Sequence, residues 1–248
     1  MKYRLGIITP IWKRPKLTKL FLDYYEGIGT YRRQAVLSDD EWLAYNDNAG
    51  WYGTKYFNEP LADKHNAGTL ALRNTDVDAV CLIPSDDFFT PGYFAAVERA
   101  LDADYDAVQV ESLYFYCLQT RRLLRGERLG TGAGFVLRRD VLERLGWQPW
   151  PAGANNSMDA NMFAHCKNQI KNRYKIATPE NLGFVGVDVK GRTTRNAFGK
   201  LWGDPETLCA GLSYKERIDD PARVEAFWRG HFPEMADQML YNNEELAE

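Results

Sequence analysis

Residues 4–9 form a short apolar run that stops at Thr9-Pro10, which predicts a strand ending there. After Pro15, residues Leu17, Leu20, Phe21 and Tyr24 recur at spacings of three and four, the period of one helix face. Residues 34–38 predict a second strand, and Asp39-Asp40-Glu41 suits the first turn of the next helix. The stretch 46–60, rich in Asn, Gly and Tyr, reads as an ordered loop. A helical pattern over 63–72 then precedes residues 79–83, whose unbroken apolar character predicts a strand covered on both faces. Pro84-Ser85-Asp86-Asp87 ends that strand. Pro91 opens a helix through Leu101, with proline in the first turn where its missing N–H costs little.

The second half has a different rhythm. Residues 107–110 and 112–117 predict strands, with a turn at Gln119-Thr120-Arg121. A glycine-dense loop over 130–134 leads into a strand at 135–137 and a helix over 139–145. A loop over 149–156 precedes a helical stretch over 158–170, then two short strands at 174–177 and 183–189. From Asp220-Pro221 the tail reads as helical and acidic.

Strands alternating with helices imply a mainly parallel α/β sheet with right-handed crossovers, whose ligand lies beyond the C-terminal ends of the strands. Thr9-Pro10, Ser38-Asp39 and Ser85-Asp86-Asp87 all stand at such ends, so all three are expected on one edge. The expected organisation is a catalytic domain over 1–201, with a nucleotide-binding half (1–111) and an acceptor half (112–201), followed by a helical extension over 202–248.

Composition narrows the class. At 248 residues with 45% hydrophobic positions, the chain can bury a sizeable core. Cys81, Cys117, Cys166 and Cys209 are widely spaced and form no C-x-x-C pair, so a reducing, cytoplasmic setting without disulfides or zinc is expected. No apolar run approaches the ~20 residues of a membrane span. The net charge of −3 conceals a basic segment: residues 112–201 carry 15 basic and 6 acidic side chains. That segment suits either a polyanionic acceptor or diphosphate, or ordinary solvated helix faces. Neither a G-x-x-x-x-G-K-[ST] nor a G-x-G-x-x-G phosphate loop is present.

The chemistry concentrates at Asp86 and Asp87. Two adjacent carboxylates after a buried strand, followed by Phe88-Phe89, are costly unless a cation or hydrogen bonds satisfy them. A divalent Mn2+ or Mg2+ bridging a diphosphate would do so, since these ions prefer carboxylate and phosphate oxygens. A cap on the following helix is the competing role. The run Leu82-Ile83-Pro84-Ser85-Asp86-Asp87-Phe88 resembles the DXD-type motif of GT-A glycosyltransferases, particularly those of family 2, with Ser85 in place of the first aspartate.

Further segments fit that resemblance in the expected order. Thr9, Pro10 and Arg14 match the T-P-x-x-x-R-P turn that packs on the nucleotide. Asp39 matches the base-reading aspartate at the end of the second strand. Lys64, Asn66 and Gly68 match a segment near the nucleotide, and His65 is expected as a positioned loop residue rather than a ligand. Gly132 and Arg138 fall in a glycine-to-arginine segment beside the acceptor pocket. The resemblance implies a GT-A-like (Rossmann-like) fold and a metal held by Asp87, with Asp86 facing the ribose. It places Asp188 and Lys190 near the metal or diphosphate, with an ordinary exposed strand end as the competing reading. Asp159 is implied as general base; a carboxylate in the first turn of a helix is favoured there in any case.

The implied activity is transfer of a sugar from a nucleoside-diphosphate donor, of the UDP type, to an acceptor hydroxyl with inversion. The acceptor could be a saccharide, a protein or, by a likeness to phage-type glycosyltransferases, a hydroxylated base in phage DNA. A nucleotidyltransferase is the alternative of a different class, although Thr9 to Pro15 lacks the glycines such enzymes place after their first strand.

Overall fold

A computed structural model describes residues 2–45, 50–127, 131–176, 183–191, 213–242 and 246. The strands are β1 (Leu5–Pro10), β2 (Arg32–Leu37), β3 (Trp51–Lys55), β4 (Ala79–Leu82), β5 (Asp87–Phe89), β6 (Ala107–Val110), β7 (Ser112–Cys117), β8 (Arg122–Glu127), β9 (Phe135–Arg138), β10 (Arg173–Ile176), β11 (Gly186–Lys190) and β12 (Ser213–Ile218). The helices are α1 (Pro15–Glu26), α2 (Asp39–Ala44), α3 (Leu61–Leu72), α4 (Gly92–Asp102), α5 (Arg139–Arg144), α6 (Met158–Cys166), α7 (Pro221–His231) and α8 (Ala236–Tyr241).

Seven strands form the main sheet in the order β10-β6-β9-β4-β1-β2-β3. β1, β2, β3 and β4 run parallel, as do β6 and β10, while β9 is inserted antiparallel between β4 and β6. The result is a mostly parallel α/β sheet flanked by helices. β4 bears out the expectation of a strand covered twice: Ala79 and Cys81 join one core, while Val80 and Leu82 join the other. α1 buries Leu17, Phe21 and Tyr25 on the first of these faces. Each such side chain contributes roughly 1.5–3 kcal/mol by leaving water. α3 lies against the opposite face, where Gly68 lets it approach closely; a Cβ there would stand 2.7 Å from Val36 Cγ2.

Three elements depart from the sequence reading. The stretch taken as a loop contains β3, an edge strand in which only Trp51 is buried, so it lacks the apolar alternation that marks a strand. Asp87 to Phe89 is itself a strand, in a second sheet ordered β12-β8-β7-β11-β5. The C-terminal segment is not helical alone: β12 pairs antiparallel with β8 before α7 and α8 begin. Trp228 of α7 packs edge-on against Tyr116 of β7, with ring centroids 5.0 Å apart, which ties the tail to the second sheet. Cys81, Cys117 and Cys166 are free and buried, and Cys209 lies outside the described residues. No helix among the described residues is long and apolar enough to cross a membrane.

Candidate active site

β1 and β4 run side by side and end together, which brings Thr9-Pro10 and Pro84-Ser85-Asp86 to the same edge. The turn after β4 is closed by the Asp87 N–H donating to Pro84 O at 3.0 Å, after which the chain re-enters the core as β5. β5 pairs antiparallel with β11, and Asp87 falls directly opposite Asp188. Like charges placed opposite one another across a strand pair repel. Side chains two apart share a strand face, so Lys190 reaches the same place as Asp188. This corrects the idea of an exposed strand end: Asp188 and Lys190 are both buried.

Asp86, Asp87 and Asp188 each offer a carboxylate oxygen, and all three lie within 4.8 Å of one another. Two cations answer them. Arg14 Nη1 donates to Asp86 Oδ2 at 2.9 Å. Lys190 Nζ lies 2.5 Å from Asp188 Oδ1 and 3.5 Å from Asp86 Oδ2, an ion pair with each. Burial alone would raise the Asp86 pKa, but Arg14 and Lys190 outweigh it and hold the group at about 2. Lys190 relieves Asp87 only in part. Burial, then the charges of Asp188 and Asp86, push it well above the ordinary carboxylate range, and its Oδ1 has no hydrogen-bond partner among the described residues. Asp188 is raised to about 6, by burial first, with Lys190 opposing. Burial disfavours the charged Lys190 ammonium, but Asp188, Asp86 and Asp87 together raise its pKa.

Arg14 reaches this cluster through an unusual loop. Lys13 and Arg14 both have left-handed backbones, with φ of 56° and 54°, a conformation that costs a non-glycine residue on the order of 1 kcal/mol or more. Glu41 offsets part of that cost by accepting from the Lys13 N–H at 2.8 Å. The same carboxylate accepts from Ser38 N–H and Oγ at 2.9 and 2.5 Å in a capping box that starts α2. Glu41 thus does more than open a helix. The S-x-x-E spacing at Ser38 was the signal for its wider role.

α1 also fixes the acidic strand. The Tyr25 hydroxyl donates to Asp87 O at 3.1 Å and accepts from the Phe89 N–H at 2.9 Å, while Tyr24 donates to Phe89 O at 3.0 Å. Their sequence signal was only that of core aromatics.

Asp159, in the first turn of α6, stands on the rim of the cluster and is half-buried. Its pKa is raised by burial, with the Gly132 backbone N–H and the charge of Lys190 opposing; Asp159 in turn helps raise Asp87. A Cβ at Gly132 would stand 2.4 Å from Asp159 Oδ1, so glycine is what permits this approach.

The remaining candidates separate. Thr9 is fully buried at the end of β1, its Oγ1 without a hydrogen-bond partner among the described residues; Pro10 is half-buried beside it, and Ser85 is buried in the turn. Asp39 is exposed and ion-paired with Lys55 at the end of β3. Lys64 Nζ is spent on Ile11 O and on Asn58 Oδ1 at 2.6 Å, with Glu41 Oε2 at 3.5 Å. Asn66 holds both backbone groups of Trp150, donating to its O at 2.9 Å and accepting from its N–H at 3.1 Å. His65 is a buried residue of α3, 4.6 Å from the Trp150 ring, with Nδ1 unpartnered and burial lowering its pKa to about 3. Gly68 packs on the sheet as described. Arg138 is not brought to the cluster: β9 runs antiparallel to β4, and Arg138 pairs with Ala79 at the opposite edge, where it meets Asp104 at 2.8 Å.

No protein-family model matches the sequence, and no curated protein matches it. Among solved structures, S. aureus TarS (residues 1–349) superposes on 97% of this chain and 70% of its own, with a TM-score of 0.52 at 10% identity. A putative glucose-1-phosphate thymidylyltransferase from Bacillus anthracis, in complex with a sucrose, overlaps 74% of this chain and 89% of its own, with a TM-score of 0.48 at 10% identity. A 4-diphosphocytidyl-2C-methyl-D-erythritol synthase from Anaerococcus prevotii overlaps 73% and 89%, with a TM-score of 0.46 and 10% identity. At such identity the likeness to TarS is one of fold. With its mostly parallel sheet, flanking helices and acidic turn after β4, the chain has a GT-A-like fold.

Proposed function

We propose that this chain is a metal-dependent glycosyltransferase that moves a sugar from a nucleoside-diphosphate donor, of the UDP type, to an acceptor hydroxyl with inversion. The observation that carries this reading is the buried Asp87–Asp188 pair, with Asp86 alongside and Asp87 Oδ1 unpartnered. Three carboxylates that close need a compact positive charge, and an all-oxygen set suits Mn2+ or Mg2+. Asp87 and Asp188 would hold the ion, which when bound supplies charge neutralisation for the leaving diphosphate.

Arg14 and Lys190 add positive charge from the protein and orient the diphosphate oxygens. Asp159 accepts the acceptor proton as the hydroxyl oxygen bonds to the anomeric carbon and the bond from that carbon to the diphosphate oxygen breaks. Burial supports this role, because a carboxylate with a raised pKa is a stronger base. Thr9, Pro10 and Asp39 lie on the donor side, on the edge that parallel sheets use for ligands. Lys64, Asn66 and Gly68 shape that side from within α3.

Screening nucleotide sugars for thermal stabilisation with and without Mn2+ identifies the donor, since a molecule that binds the folded state raises its melting temperature. Product analysis then separates two reaction classes. Release of a nucleoside diphosphate supports sugar transfer, whereas release of inorganic pyrophosphate from a nucleoside triphosphate would make the chain a nucleotidyltransferase.

A further inference from the structure

Lys190 occupies the space between the carboxylates that the proposed ion would need. Its ammonium lies 2.5 Å from Asp188 Oδ1 and 3.5 Å from Asp86 Oδ2, and both carboxylates belong to the group that brings one oxygen from each residue within 4.8 Å. A divalent ion held by Asp87 and Asp188 would stand against that ammonium inside a buried site, where like charges repel strongly. Arg14 does not share the conflict to the same degree, because its guanidinium pairs with Asp86 from the α1 side. Lys190 sits on a flexible four-carbon stem and can leave; the aspartates, tied to paired strands, cannot.

We propose that Lys190 is a displaceable counter-ion. It neutralises Asp188 and Asp86 while no ion is bound, and it swings onto the diphosphate of the donor when the ion enters. Ion binding and diphosphate binding are then coupled through one side chain, and the coupling is reciprocal. In the free protein the ammonium also prevents the repulsion between Asp87 and Asp188 from opening the β5–β11 pair. This inference rests on the metal-site reading above and adds to it the residue that makes the ion and the donor bind together.

Mn2+ binding to metal-stripped protein, followed by the loss of the free-ion paramagnetic resonance signal, tests it with wild type, Lys190→Met, Lys190→Gln and Asp87→Asn, each with and without UDP. Without UDP, the two Lys190 variants should bind Mn2+ at least about tenfold more tightly than wild type, because a competing charge is gone. Adding UDP should tighten Mn2+ binding in wild type by a larger factor than in either variant. Mn2+ should also raise the melting temperature of the Lys190 variants more than that of wild type. That holds even if they are destabilised without the ion, since the ion restores the lost counter-charge.

Equal or weaker Mn2+ binding by both Lys190 variants, with Asp87→Asn losing the ion, overturns the counter-ion role and leaves the metal site standing. Undiminished Mn2+ binding by Asp87→Asn, or no Mn2+ binding by any form, overturns the metal site itself and this inference with it.

Discussion

Two buried polar groups flank the same sheet edge, and they are built on opposite principles. In α3, Lys64 and Asn66 are closed systems: the ammonium meets Ile11 O, Asn58 and Glu41, and the Asn66 amide takes both backbone groups of Trp150. Across the edge, Asp86, Asp87 and Asp188 crowd three carboxylates against two cations and leave Asp87 Oδ1 unpartnered. Folding selects for satisfied buried groups, so the first cluster is explained by stability alone. The second costs stability, and the proposed ion and donor would recover part of that cost.

The largest expected effect tests the open cluster. Asp87→Asn should lower nucleotide-sugar turnover about 100-fold or more, while the melting temperature stays level or rises, because a source of repulsion is removed. Full turnover with unchanged metal dependence would put the site elsewhere. Next, Asp159→Asn should keep donor binding in a thermal-shift titration but lose roughly 100-fold in turnover, the usual contribution of a general base. Wild-type turnover in that variant would remove Asp159 from the chemistry.

The closed cluster should respond in the other currency. Asn66→Ala strands the N–H and C=O of Trp150 and should cost about 2–3 kcal/mol of unfolding free energy by urea titration. An effect below about 0.5 kcal/mol would show that these bonds are replaceable. His65 gives a smaller, pH-dependent effect. Its folded pKa of about 3 lies below the unfolded value of 6.5, so the unfolded state takes up the proton first as pH falls. The stability contributed by neutral His65 is therefore complete above pH 6.5 and is lost on acidification towards pH 3. At pH 5 the loss should be about 2 kcal/mol. His65→Leu should show a correspondingly flatter stability profile between pH 6.5 and 5, and an identical slope in both proteins would contradict the assignment.

Much of this arrangement was legible from residues alone, and the parts that were not share a cause. The helix marked by Leu17, Leu20, Phe21 and Tyr24, the doubly covered strand at 79–83 and the end of β4 at an acidic turn follow from local apolar periods. β3 escaped because an edge strand with one buried side chain has no period to read. β12 escaped because its six residues, Ser213–Ile218, are mainly polar and their partner strand lies far earlier in the chain. Arg138 was expected near the acceptor and instead lies at the far edge, since the direction of β9 depends on how it is inserted between β4 and β6.

Local pattern was enough to put Thr9 and the turn Ser85-Asp86 at the ends of strands of a parallel sheet, because hydrophobic period and strand polarity are local properties of the chain. Only the tertiary structure decided that Asp188 would face Asp87, that Lys190 would sit between the carboxylates, and that Arg14 would pair with Asp86. Those meetings join segments far apart in the chain, and their geometry is set by strand pairing and packing, which no local pattern encodes.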